Sequence, residues 1–265
     1  MTALIPSLLA AGLYLGGTLY QVHCLRKRQT ASINLLRIVG LLALLVHAAT
    51  LAFTLFPGPG LSLGFFNAAS LIAWLVIAMT LLSSFRVPVT SLLIGLFPLG
   101  LITVLTALLP NEGGIRVSGE GGLIVHILLS ILAYGILTIA VFQAILLAVQ
   151  DYQLKHKHPT RFIRTFPPLQ TMERLLFQFL LCGEVLLTLA LISGFVYLDN
   201  VFAQGVAHKT LLSCLAWVVF AILLWGRYFR GWRGSNAIRW TLAGFLLLML
   251  AYFGSKLVRE FVLPL

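Results

Sequence analysis

Residues 122–149 read GLIVHILLSILAYGILTIAVFQAILLAV, twenty-eight positions without one Asp, Glu, Lys or Arg. A helix on the surface of a soluble protein carries a polar face, and this stretch has none. About 20 apolar residues cross the hydrocarbon core as an α-helix, which satisfies each backbone N–H and C=O within the segment. The stretch therefore reads as a membrane span with one ionisable side chain, His126. Runs of the same kind lie on both sides of it, giving spans at 4–25, 34–56, 65–85, 87–109, 122–149, 175–198, 206–229 and 238–263. Pro57, Gly58, Pro59 and Gly60 separate the second from the third, and the Gly-rich polar stretch 110–121 separates the fourth from the fifth. Each break reads as a turn or short loop. The expected fold class is all-α: a polytopic transmembrane bundle of about eight spans, forming a single integral membrane domain over residues 1–265.

Working outward, the composition agrees, because 60% hydrophobic and 9% charged residues leave too little polar surface for a water-soluble fold. The net charge of +11 does not point to nucleic acid, since the eighteen Lys and Arg residues form no patch interleaved with aromatics. They gather in alternate loops instead: Arg26, Lys27 and Arg28; Arg86; Lys155, Lys157, Arg161, Arg164 and Arg174; Arg227, Arg230, Arg233 and Arg239. Cation-rich loops stay cytoplasmic during insertion, so both termini are expected outward, on the periplasmic face of a bacterial inner membrane. The first apolar run has no basic residue before it and three after it, the order of a retained helix and not of a cleaved leader. Cys24, Cys182 and Cys214 are scattered, with no CxxC or CxxCH spacing, which argues against a disulfide scaffold, a zinc site or covalently held haem. His156 and His158 read as solvated loop residues, Pro98 as a helix kink, and most of Trp217, Trp225, Trp232 and Trp240 as interfacial anchors.

Ionisable groups inside a span are costly and mark candidate sites. Four qualify: His47, His126, Glu184 and His208, while His23 borders the cationic end of its helix. His47 and Glu184 fall near mid-membrane and are able to pair as a proton or ion element, or to be satisfied by ordinary hydrogen bonds with Glu184 protonated. His126 and His208 each lie about one turn from the outer face on different helices. Either alone is readily explained as a capped or carbonyl-bonded imidazole. Together, two imidazoles at one depth are what six-coordinate haem iron requires, with apolar helix faces around the porphyrin. Arg116, Lys209, Lys256 and Arg259 are the outward cations available to its propionates, although Lys209 is equally read as an interfacial lysine.

The stretch His126-Ile-Leu-Leu-Ser130-Ile-Leu-Ala-Tyr134-Gly135 resembles the start of a core helix in the cytochrome c assembly family of haem-handling membrane proteins (CcsA/CcmC type). Leu187-Thr188, Ser193-Gly194-Phe195, His208-Lys209-Thr210, Ala216-Trp217, Gly226-Arg227, Gly231-Trp232-Arg233-Gly234, Ala243-Gly244-Phe245 and Tyr252-Phe253-Gly254 follow in that family's order. The resemblance implies haem binding and, by motif match, a haem-ligand role for His126. The tryptophan-rich haem-presenting loop of the family would fall between Gly194 and His208, where this chain has no tryptophan, and no histidine follows His208. The chain in this respect resembles the short HemX-like (YpjD-like) branch.

The expected function is therefore a membrane protein binding non-covalent haem b by His126 and His208, with haem donors or acceptors or a membrane partner as its company. The alternative is a non-haem scaffold or ion-transport accessory subunit. No nucleophile–base or metal-ligand constellation supports an enzyme.

Overall fold

Long apolar runs without breakers dictate helices, and the computed structural model is built from them. It describes residues 3–27, 29–56, 61–109, 115–117, 121–155, 167–197 and 207–254. Among these residues there are eight α-helices, seven of them long and apolar enough to cross a membrane. The chain is thus an all-α polytopic membrane protein. Within what the sequence reads as one membrane domain, it divides into two compact units, residues 1–118 with 159–167, and residues 119–158 with 168–265.

The first unit holds α1 (Leu4–Arg26), α2 (Ile33–Leu55), α3 (Phe65–Ser83) and α4 (Leu93–Thr106), the last preceded by a 3-10 turn, Thr90–Leu92. Ser32 caps α2 by accepting from the Leu35 amide at 3.4 Å. Close helix approach depends on absent side chains: a Cβ on Gly17 would stand 2.6 Å from the Phe97 ring. Arg37, one turn into α2, donates to the Ser84 hydroxyl at 3.0 Å and to the Ser84 carbonyl, and lies 4.3 Å over the Phe85 ring.

Two details of this unit differ from the sequence expectation. The fourth span was expected over 87–109, yet regular helix covers only Leu93–Thr106, about 21 Å at 1.5 Å per residue. Residues 84–89 are turns and bends around Pro88 that hydropathy alone does not detect. Such irregular backbone is tolerated at membrane depth where protein covers it, and Val89 and Leu92 are 1% and 0% exposed. The breaks at 57–64 and 110–121 are also more than loops. Their β1 (Leu61–Leu63) and β2 (Ile115–Val117) pair antiparallel, Ser62 opposite Arg116. A three-residue strand is invisible until its partner is known.

The second unit holds α5 (Gly121–Lys155), α6 (Leu169–Tyr197), α7 (Ala207–Arg230) and α8 (Ser235–Met249), the last running into a π-helical turn, Leu250–Gly254. The helices α5 and α6 pack antiparallel: His126 meets Ala190, Leu137 closes on Gly183, and Gln143 donates to the Met172 carbonyl at 2.9 Å. Both run past the expected spans, into the stretch 150–174 that reads as polar loop. At 35 residues α5 is about 52 Å long against a hydrocarbon core of about 30 Å. Its polar end stays helical with an i,i+4 ion pair from Lys155 to Asp151 at 2.7 Å, and Pro168 stands just before the first residue of α6.

Glu173 of α6 pairs with Arg227 of α7 at 2.7 Å, and Arg227 also donates to the Trp232 carbonyl at 3.1 Å and lies 4.6 Å over Phe177. The α7–α8 turn turns sharply through Gly231 and Gly234, at φ +64° and +58°. Trp232 and Trp240 stack with centroids 5.4 Å apart. Trp217 is no simple interfacial anchor, because its indole N–H donates to Thr188 Oγ1 at 2.8 Å inside the unit.

Candidate functional site

In the second unit a cleft of about 230 Å³ opens between α5, α6, α7 and the end of α8. Its wall on α5 is His126, Ser130 and Tyr134, four residues apart and so stacked on one helix face. Leu187, Ala190, Leu191 and Gly194 come from α6, Lys209, Thr210 and Ser213 from the first turns of α7, and Leu248, Ala251 and Tyr252 from α8 and its π turn. The Tyr134 hydroxyl donates to the Leu248 carbonyl just where the helix widens, and its ring sits 5.7 Å from that of Tyr252. Widened π turns interrupt the regular ladder and are frequent at functional sites.

His126 is half-buried, and its orientation is fixed twice over. Nδ1 lies 2.9 Å from the Ala190 carbonyl and 3.2 Å from Ser193 Oγ, and Ser193 itself donates to the same carbonyl at 2.8 Å. A carbonyl only accepts, so Nδ1 carries the proton and Nε2 of the neutral ring keeps its lone pair. Nε2 makes no hydrogen bond to the described residues. The ring packs against Gly194, where a Cβ would stand 3.0 Å from Cε1 and 3.3 Å from Nδ1. A carbonyl and a hydroxyl on one ring nitrogen hold the imidazole in one tautomer and orientation, as such partners do around metal-binding histidines.

The other sequence candidates separate clearly. Lys209 lines the cleft with His126. His208 does not: it is exposed on the first turn of α7, and at about 100° per residue its side chain leaves the helix well away from the face of Lys209, Ser213 and Ala216. Arg116 has its backbone in β2, while its side chain, Lys256, Arg259, His156 and His158 lie outside the described residues.

His47 is fully buried in the first unit, with Nδ1 3.1 Å from the Tyr14 hydroxyl and Nε2 2.8 Å from Ser70 Oγ. Both of its nitrogens are thus engaged within the first unit. Glu184, on α6, is 7% exposed, and neither carboxyl oxygen has a hydrogen-bond partner among the described residues.

Tyr134, Ser193 and Gly194 belong to motifs visible in the sequence, but their roles come only from the structure. The i, i+4, i+8 spacing of His126, Ser130 and Tyr134 is the signal that was available for the cleft wall. Tyr252 too stands in one of those motifs, whereas Arg37 had no comparable signal.

The sequence profile of a family described as "Cytochrome C assembly protein" matches residues 35–263. Inner membrane protein YpjD of Escherichia coli (strain K12) is 36% identical over 228 residues, 85% of this chain and 86% of that protein. Protein HemX of Brevibacillus brevis is 24% identical over 134 residues, 50% of this chain and 49% of that protein. The cytochrome c biogenesis protein CcsA of Chlamydomonas reinhardtii is 28% identical over 141 residues, 52% of this chain and 38% of that protein. No solved structure matches.

Proposed function

Because the chain belongs to the cytochrome c assembly protein family, we propose that it is a multi-pass protein of a bacterial inner membrane that binds non-covalent haem b near the outer leaflet, with His126 as an axial ligand. The observation that carries this reading is the fixed tautomer of His126, whose Nδ1 bonds to the Ala190 carbonyl leave Nε2 as a donor to iron. The donor set fits the group. An imidazole, a lysine able to meet a propionate and a largely apolar and aromatic wall share one cleft. Ala190 and Ser193 orient the ring and Gly194 gives it room, so that His126 would hold a haem whose iron would supply the acceptor for the imidazole lone pair.

The cleft volume of about 230 Å³ lies below the roughly 300–1,000 Å³ of sites that bury a whole drug-sized ligand.

His208 as the opposite axial ligand is a separable part of the proposal. Its support is its place on the same first turn of α7 as Lys209. Arg116, Lys256 and Arg259 join Lys209 as candidate propionate partners.

The test is an absorption spectrum of detergent-purified protein after haem-replete expression. A Soret band that acid acetone extracts is expected, since no CxxCH is present to hold haem covalently, and His126→Ala should lose it. A colourless parent would favour the alternative, a non-haem scaffold or ion-transport accessory subunit. We also propose that both termini face outward, as the loop cations require; cytoplasmic signal from a reporter fused at Leu265, or outward signal from one near Lys157, would reverse this.

A further inference from the structure

Of the seven acidic residues, Glu112, Glu120, Asp151, Glu173, Asp199 and Glu260 fall in loops or near the ends of spans; Glu184 alone falls in the middle of one. Its carboxyl oxygens are out of reach of solvent and make no hydrogen bond to the described residues. Glu184, Leu187 and Leu191, at i, i+3 and i+7, share one face of α6, and the two leucines line the cleft. The carboxyl therefore sits one turn beyond the cleft wall, toward the membrane centre.

Among the described residues, its surroundings show no charge to balance an ionised carboxylate. Gly183, next to it, packs on Leu137 and Ile136 of α5. Thr188, one turn on, turns its hydroxyl to the Glu184 carbonyl at 2.7 Å and takes the Trp217 indole N–H, which sets the facing part of α7 as the run Trp217–Leu224. Neither segment carries a titratable group. The nearest along α5 is Tyr134, which donates its hydroxyl to Leu248, and along α7 they are Cys214 and Arg227, the latter held by Glu173.

We infer that Glu184 is a proton-binding site in the membrane interior, holding one exchangeable proton beside the inner end of the cleft. An unpaired carboxylate in hydrocarbon is strongly disfavoured, so the site is occupied by its proton at rest and empties only when a counter-charge or water reaches it. A proton held there gives the cleft a neutral carboxylic acid that changes charge with its occupant or with access from outside. The inference stands without haem and is tested without it.

The probe is dicyclohexylcarbodiimide, an apolar reagent for carboxylic acids within membranes. The acid proton passes to one carbodiimide nitrogen, the carboxyl oxygen bonds to the central carbon, and an acyl shift to nitrogen leaves a stable N-acylurea with nothing lost. Intact full-length protein in detergent should gain one adduct, mapped by peptide fragmentation to Glu184 and not to Glu173 of the same helix, with less labelling in alkaline buffer and recovery on return to mildly acidic buffer. A water-soluble carbodiimide should label the loop carboxylates and spare Glu184. Glu184→Gln should abolish the apolar adduct; if that variant does not fold, the mapped position in the parent decides alone. No adduct at Glu184 in folded protein, an adduct at Glu173 in its place, or a Glu184 adduct whose yield ignores pH, overturns the site.

Discussion

Two buried-span histidines, one in each unit, illustrate how the same residue in the same kind of helix reaches opposite chemical ends. His47 bridges α1, α2 and α3: the Tyr14 hydroxyl takes Nδ1 at 3.1 Å, the Ser70 hydroxyl takes Nε2 at 2.8 Å, and nothing of the ring meets solvent. A neutral imidazole has one donor and one acceptor, and here both are spent on holding helices together. His126 spends one nitrogen on the Ala190 carbonyl and keeps the other in a cleft. Residue type does not separate the two; counting the ring nitrogens already engaged does.

The sharpest way to break this contrast is to delete each ring. Under the haem proposal His126→Ala should give protein that inserts but purifies without a Soret band. His47→Ala should keep its colour and lose stability, by about 1–3 kcal/mol for each hydroxyl left unpaired in the core, as read by thermal unfolding in detergent. Loss of haem from the His47 variant alone would reverse the assignment.

Gly194→Ala comes next. Its Cβ would press on the His126 ring at 3.0 Å, and overpacking of this kind costs about 1–3 kcal/mol, so haem affinity by titration should fall by about 5- to 150-fold. Gly12→Ala on α1, where a Cβ meets nothing within 4 Å, is the matched control and should change nothing. Tyr14→Phe removes only one of the two partners of His47 and should cost about 1 kcal/mol with the spectrum intact. The smallest effect is expected for His208→Ala, exposed and off the cleft face: haem content should hold while the low-spin spectrum turns high-spin. An unchanged low-spin spectrum in that variant would remove His208 as the second ligand.

Hydropathy made the helices legible, because a run such as 122–149 has no other stable conformation in lipid. It did not reveal where the backbone turns inside an apolar segment, so α4 came out shorter than expected around Pro88, nor that polar residues such as Gln150 and Lys155 continue α5 beyond the bilayer. At the site, topology gives depth but not azimuth. His208 and Lys209 are neighbours at one height, yet about 100° of helical rotation puts only the lysine in the cleft. The roles of Ser193, Ala190 and Tyr252 depend on contacts between helices far apart in sequence, which one chain read alone does not contain.

The abbreviated fourth helix has a consequence for the lipid itself. With its 3-10 turn, Thr90–Thr106 spans roughly 27 Å, a few ångströms less than an average hydrocarbon core. Lipids beside it must shorten or tilt to meet it, at a cost of a fraction of a kcal/mol for each ångström of mismatch. The first unit should accordingly unfold at a higher temperature in bilayers of shorter acyl chains than in thicker ones, and the protein should partition toward thinner regions of a mixed membrane.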